Sequence, residues 1–90
     1  MSEIDVNINN QLISRTAKVI MFIKDNPKTN LRNINRELDI DYNFISKIIK
    51  RCEEKKIVKC EMKAREKIVT ITKLGDEISD SLEKIEKVLK

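Results

Sequence analysis

Asn43, Lys47 and Lys50 are separated by four and three residues, so a helix that contains them carries a carboxamide and two ammonium groups along one side. A carboxamide offers both donors and an acceptor, an ammonium offers donors only, and Tyr42 and Ser46 place hydroxyls beside them. Such a set recognises hydrogen-bonding edges and anions. Nothing in the chain suggests that it also catalyses. Histidine is absent, no glycine-rich phosphate loop exists, and neither Cys52 nor Cys60 has a neighbouring base to activate it. Those two cysteines, eight residues apart with no second ligand pair, also fail the four-ligand demand of a structural zinc site. We therefore assign no catalytic residue, no metal site and no cofactor. Both cysteines read as core residues, and a single intrachain disulfide between them stays open.

The elements that must hold these side chains are legible from periodicity. Asp41 has the chemistry of an N-cap, because its carboxylate can accept from the unpaired amides of a first helical turn. The helix it opens, Tyr42 to about Lys55, has Ile45, Ile48, Ile49 and Cys52 on one stripe. With that stripe inward, about 100° per residue turns Asn43, Lys47, Lys50 and Glu54 outward. Phe44 lies at the stripe's edge and is assigned to packing. A shorter helix precedes it, capped by Asn30 and carrying Leu31, Ile34 and Leu38 at helical spacing; Asp39 and Ile40 form the tight connection.

Upstream, Asn26-Pro27-Lys28 breaks a first helix that starts near Asn10 and carries Ile13, Ala17 and Ile20, widened by Leu12, Val19 and Ile23. Before it, Ile4 to Asn9 alternates apolar and polar residues, which predicts a short extended arm. Downstream the period returns to two. Val58, Cys60 and Met62 alternate with Lys59, Glu61 and Lys63, and Ile68-Val69-Thr70-Ile71 is rich in β-branched residues, so the pair reads as a hairpin. Thr72 then caps a terminal helix on which Leu74, Ile78, Leu82, Ile85 and Leu89 recur at steps of four, four, three and four.

Charge follows the same map. Residues 41 to 73 hold ten basic and five acidic groups, whereas residues 1 to 40 hold six and five, and residues 74 to 90 hold three and five. The net charge of +4 is thus concentrated in the third helix and the hairpin, the footprint of a nucleic-acid surface. With 40% hydrophobic and 38% charged residues, and Gly and Pro once each, the chain is a single, mainly helical domain. No apolar run approaches the roughly 18 residues of a membrane span, and the acidic Met1 to Asp5 does not read as a secretion signal, so a cytoplasmic, nucleoid-associated protein is expected.

The segment from Leu31 to Val58, LRNINRELDIDYNFISKIIKRCEEKKIV, resembles the DNA-reading core of MarR-type transcriptional regulators. Val69-Thr70-Ile71-Thr72-Lys73-Leu74-Gly75 is similar to the Thr-x-x-Gly junction between their wing and the next helix. Together the two cover roughly residues 30 to 76. The chain departs from the family at Asp39 and Lys56, where glycine is common, and in its short, glycine-free wing. The resemblance implies a winged helix-turn-helix, mainly α with a small β-hairpin wing (α+β), and sequence-specific binding of double-stranded DNA by a small dimeric regulator, most simply a repressor. Residues 41–55 would enter the major groove and residues 63–67 would meet the backbone or minor groove.

On that basis Tyr42, Asn43, Ser46, Lys47 and Lys50 are candidates for base edges or phosphate, Arg32 for the backbone, and Lys63, Arg65 and Lys67 for the wing contact. Residues 1–72 form the DNA-binding domain with its arm, and 73–90 the C-terminal helix. The stripe Leu74, Ile78, Leu82, Ile85 and Leu89 admits two readings, packing on the first helix of its own chain or pairing with a second copy; a homodimer is favoured because the stripe runs past the wing. A sequence-neutral chromosomal architectural protein and a protein-interaction module are the alternatives to a regulator. No small-molecule effector can be assigned.

Overall fold

A computed structural model describes the backbone of residues 3–89 and the side chains of residues 14–88. Its elements are α1 (Glu3–Asp25), β1 (Thr29–Asn30), α2 (Leu31–Leu38), α3 (Tyr42–Glu54), β2 (Val58–Lys63), β3 (Glu66–Ile71) and α4 (Lys73–Leu89). The expected extended arm is not formed: α1 begins at Glu3, so Ile4 to Asn9 is helical. The alternation Ile4, Val6, Ile8 misled because Ile4, Ile8 and Leu12 are also spaced by four, and no Gly or Pro before Pro27 interrupts a helix. At about 1.5 Å per residue, 23 residues make a rod of roughly 34 Å.

The three strands form one antiparallel sheet in the order β1-β3-β2. β2 and β3 pair from Val58↔Ile71 to Lys63↔Glu66. The two-residue β1 adds Thr29↔Val69 and Asn30↔Ile68 on the other edge. Asn30 is at once the last residue of that strand and the cap of α2, its Oδ1 accepting the Asn33 amide at 2.8 Å. The chain therefore passes from sheet to helix without a linker.

Isoleucine dominates the core. Val19, Ile20 and Ile23 of α1 meet Ile34 of α2, Ile45, Ile48 and Ile49 of α3, and Val58 and Val69 of the hairpin. Branched aliphatic side chains of this kind contribute about 1.5–3 kcal/mol each on full burial. Cys52 joins them as a small apolar side chain; Cys60 is half-buried, and both are free thiols. Burial pushes both thiols up from their ordinary value, which keeps them protonated and poor nucleophiles.

α4 packs along α1. On α4, Ser79 is 2% exposed, and Gly75 is buried against Ile57 and Ile71 at the base of the wing. Lys24 ties the two helices by ion pairs to Asp80 and to Asp76, the latter at 3.5 Å. The hydrogen bond to Asp80, aided by the charge of both carboxylates, raises the Lys24 pKa against the opposing cost of desolvation. Of the apolar stripe on α4, Ile78 and Leu82 pack on this chain's own core, whereas Leu74 and Ile85 are about half exposed, at 46% and 54%, and Val88 is 83% exposed. The side chain of Leu89 lies outside the described residues.

Candidate nucleic-acid interface

The unit α2-turn-α3 is locked by side-chain chemistry that suits a chain with almost no glycine. Asp39 ends α2 in the left-handed region, φ 54°, where a short polar side chain is better tolerated than most. The Asn35 amide group donates to the Ile40 carbonyl at 2.6 Å and closes the turn. Asp41 then caps α3 as expected, Oδ2 accepting from the Phe44 N–H at 3.2 Å. At the far end of α3, the Lys56 N–H donates to the Glu53 carbonyl at 3.0 Å and the Ile57 N–H to the Cys52 carbonyl at 2.8 Å, a Schellman closure with Lys56 at φ 61°. Asp39 and Lys56 thus take a backbone conformation that glycine adopts without penalty, at the two positions where the resemblance led one to look for glycine.

With Ile45, Ile48, Ile49 and Cys52 buried, α3 presents its other side to solvent. Asn43, Ser46, Lys47 and Lys50 are all exposed, and Tyr42 is 50% exposed at the start of the helix. Arg32 is exposed on the first turn of α2. Phe44 is half-buried against the core, with the Arg15 guanidinium of α1 lying over its ring, Cζ 5.3 Å from the centroid. That contact joins residues 29 positions apart, and no local pattern announces it.

The hairpin turns through Ala64 and Arg65 with φ 48° and 69°. Two consecutive positive values in a two-residue loop define a type I′ turn, which follows the natural twist of paired strands. Lys63 and Arg65 are exposed at its tip. Lys67 is not: it is half-buried and its Nζ lies 4.0 Å from Glu53 Oε1 on α3. Cys60 interacts with the same carboxylate. Glu53 therefore links the hairpin to the helix, with Lys67 as its counter-charge, and Lys63 and Arg65 at the hairpin tip have no ion-pair partner among the described residues.

The junction after β3 explains the Thr-x-x-Gly pattern. The Thr72 hydroxyl accepts from the Gly75 N–H at 3.1 Å, capping α4, and lies 2.7 Å and 2.8 Å from the carbonyl oxygens of Lys56 and Ile57, to one of which it donates. The Thr72 N–H donates to the Ile57 carbonyl as well. Gly75 is required by space: a Cβ there would sit 2.2 Å from the Ile57 carbonyl oxygen. The helix-turn-helix, the hairpin and the following helix are thereby fixed as one body.

The same body recurs among solved structures. The chain superposes on AF1382 from Archaeoglobus fulgidus with a TM-score of 0.78 at 23% identity, covering 86% of this chain and 89% of that one. A MarR transcriptional regulator from Methanosarcina mazei matches with a TM-score of 0.76 at 19% identity over 82% of this chain and 51% of its own. The fold is a winged helix. A MepR variant of S. aureus bound to an oligodeoxyribonucleotide also matches, with a TM-score of 0.74 at 15% identity, over 83% of this chain and 58% of that one. The present winged helix thus spans about half to three-fifths of these two regulators and nearly all of AF1382. No protein-family model matches the sequence, and no curated protein does.

Proposed function

We propose that this chain binds double-stranded DNA as a small homodimeric transcriptional regulator, a repressor, with α3 in the major groove and the wing tip on the backbone or minor groove. One observation carries the reading: Asn43, Lys47 and Lys50 form an exposed polar row on a helix whose other face is sealed by isoleucine, within the segment that holds the chain's excess positive charge. Asn suits a bidentate contact to adenine, and Lys suits guanine O6 or N7. Arg32, Tyr42, Ser46, Lys63 and Arg65 supply phosphate and edge contacts around this row. The MepR variant seen with an oligodeoxyribonucleotide shares the fold, which supports DNA as the partner.

We read the exposed polar row of α3 as chemistry for recognition rather than catalysis. Among the described residues no group of His, Cys, Asp and Glu is placed to hold a metal ion, and no helix is long and apolar enough to cross a membrane. We infer a cytoplasmic, nucleoid-associated protein. Titration of labelled duplex at two salt concentrations tests the proposal: the parent should bind at low salt, with Lys47→Ala and Lys50→Ala each lowering affinity and the salt slope, by about one unit apiece. Absence of binding at low salt overturns it. Selection from a random duplex pool then separates a regulator from a sequence-neutral architectural protein, since only the former enriches a common site.

For the dimer, we infer that α4 contributes Leu74, Ile85 and Val88, the apolar side chains that this chain's own core leaves exposed. Ile85→Asp with Val88→Asp should convert dimer to monomer in sedimentation while leaving the helical signal intact. A parent that sediments as monomer at every concentration ends this part of the proposal.

A further inference from the structure

We propose that Arg15 of α1 contacts a DNA phosphate on the side of the recognition helix away from the wing, so that α1 forms a second shoulder of the interface. The inference rests on the DNA-binding reading and extends it to an element outside the helix-turn-helix and wing. Glu53 and Phe44 are nine residues apart on α3, and at about 100° per residue they lie on opposite flanks of that helix. The wing occupies the Glu53 flank, through Lys67 and Cys60. Arg15 occupies the Phe44 flank. Asn43, Lys47 and Lys50 fall between the two, so a duplex seated on that row has sugar-phosphate backbone on either side, across a major groove of about 12 Å.

The way Arg15 is held suits that role. Its guanidinium lies over a ring that is itself packed on the core, and stacking leaves the in-plane N–H groups free to donate. The side chain is exposed, and among the described residues no carboxylate pairs with it. A guanidinium already oriented by an aromatic face loses less rotamer freedom on meeting a phosphate than a free lysine does. Arg51, exposed and seven residues after Phe44 on the same flank, continues the cationic edge along α3.

The test compares Arg15→Gln, which keeps a polar stem over the ring and removes the charge, with Arg15→Lys and with Lys87→Ala as a remote charge control. Binding of unrelated duplexes is measured across a salt series. Arg15→Gln should weaken every duplex by a similar factor of several-fold and flatten the log-log salt slope by about one unit. Arg15→Lys should keep the slope but bind more weakly than the parent, and Lys87→Ala should change neither. An unchanged slope in Arg15→Gln overturns the proposal even if thermal stability falls, as does an equal loss in Lys87→Ala, which would mark a general charge effect. Failure of the parent to bind any duplex is a different result and removes the DNA reading itself.

Discussion

At the residue scale the single glycine is the most demanding position in the chain. Gly75 needs no unusual φ; it is needed because a methyl group would collide with the Ile57 carbonyl oxygen and the Ile71 side chain, at 2.2 Å and 2.7 Å. Gly75→Ala must part α4 from the base of the wing. We expect a loss of about 3 kcal/mol, the upper range for overpacking a tight site. At roughly 4–8 °C per kcal/mol this is a fall in Tm well above 10 °C, and a variant that melts like the parent would contradict the clash. The sequence shows why Thr72 and Gly75 come as a pair only through the family resemblance. Spacing alone identifies Thr72 as a cap; that its hydroxyl also reaches the carbonyls of Lys56 and Ile57, about 15 residues back, is a matter of tertiary approach. Lys67 teaches the same lesson in reverse. By sequence it is one more wing cation, and only the fold brings Glu53 beside it.

At the scale of elements, α2, α3 and α4 follow nearly to the residue because each has an apolar stripe longer than one turn and a cap of the right type, and the hairpin follows from period-two alternation and a β-branched run. The two misses have physical causes. The first six apolar-polar residues of α1 fit both periods, and helix wins where no breaker separates them from the strong stripe that follows. β1, two residues long, has no period at all and exists only because β3 offers it an edge. The wing carries a correctable flaw. A type I′ turn favours Asn-Gly, and this chain forces Ala64 and Arg65 into positive φ, a conformation that costs L-residues about 1–2 kcal/mol. Ala64→Asn with Arg65→Gly should therefore raise stability by about 1 kcal/mol while the loss of the Arg65 charge lowers the salt slope of DNA binding. Thermal melting and salt titration read these opposite effects separately; a double variant that melts lower than the parent would count against the turn assignment.

For the molecule as a whole, the α1–α4 contact joins the ends of the chain into one body, and its electrostatic part can be tuned by pH. The Lys24 pKa is raised in the folded state, chiefly by its hydrogen bond to Asp80. A lysine so shifted contributes its stabilisation in full below the ordinary value of 10.5 and loses it as pH climbs through the raised value. We expect thermal stability to decline above pH 10.5 in the parent, and Lys24→Met to flatten that decline; an identical alkaline profile in both would show that the pair contributes nothing. The net excess of charge and its place in the middle of the chain were plain from composition, but the shape that turns it into a surface was not.

One consequence of the Thr72 junction reaches beyond this chain. The last turn of α3 and the first turn of α4 share the Ile57 backbone as a common anchor, with Thr72 bonded to it two ways at most and Gly75 pressed against it. β3 ends at Ile71 and α4 begins at Lys73, so no loop lies between the wing and α4 to absorb a misfit. In a symmetric pair built on α4, the distance and angle between the two reading heads are then a fixed gauge, and one inserted base pair, which turns the second half-site by about a tenth of a revolution, has to be met by distorting the DNA.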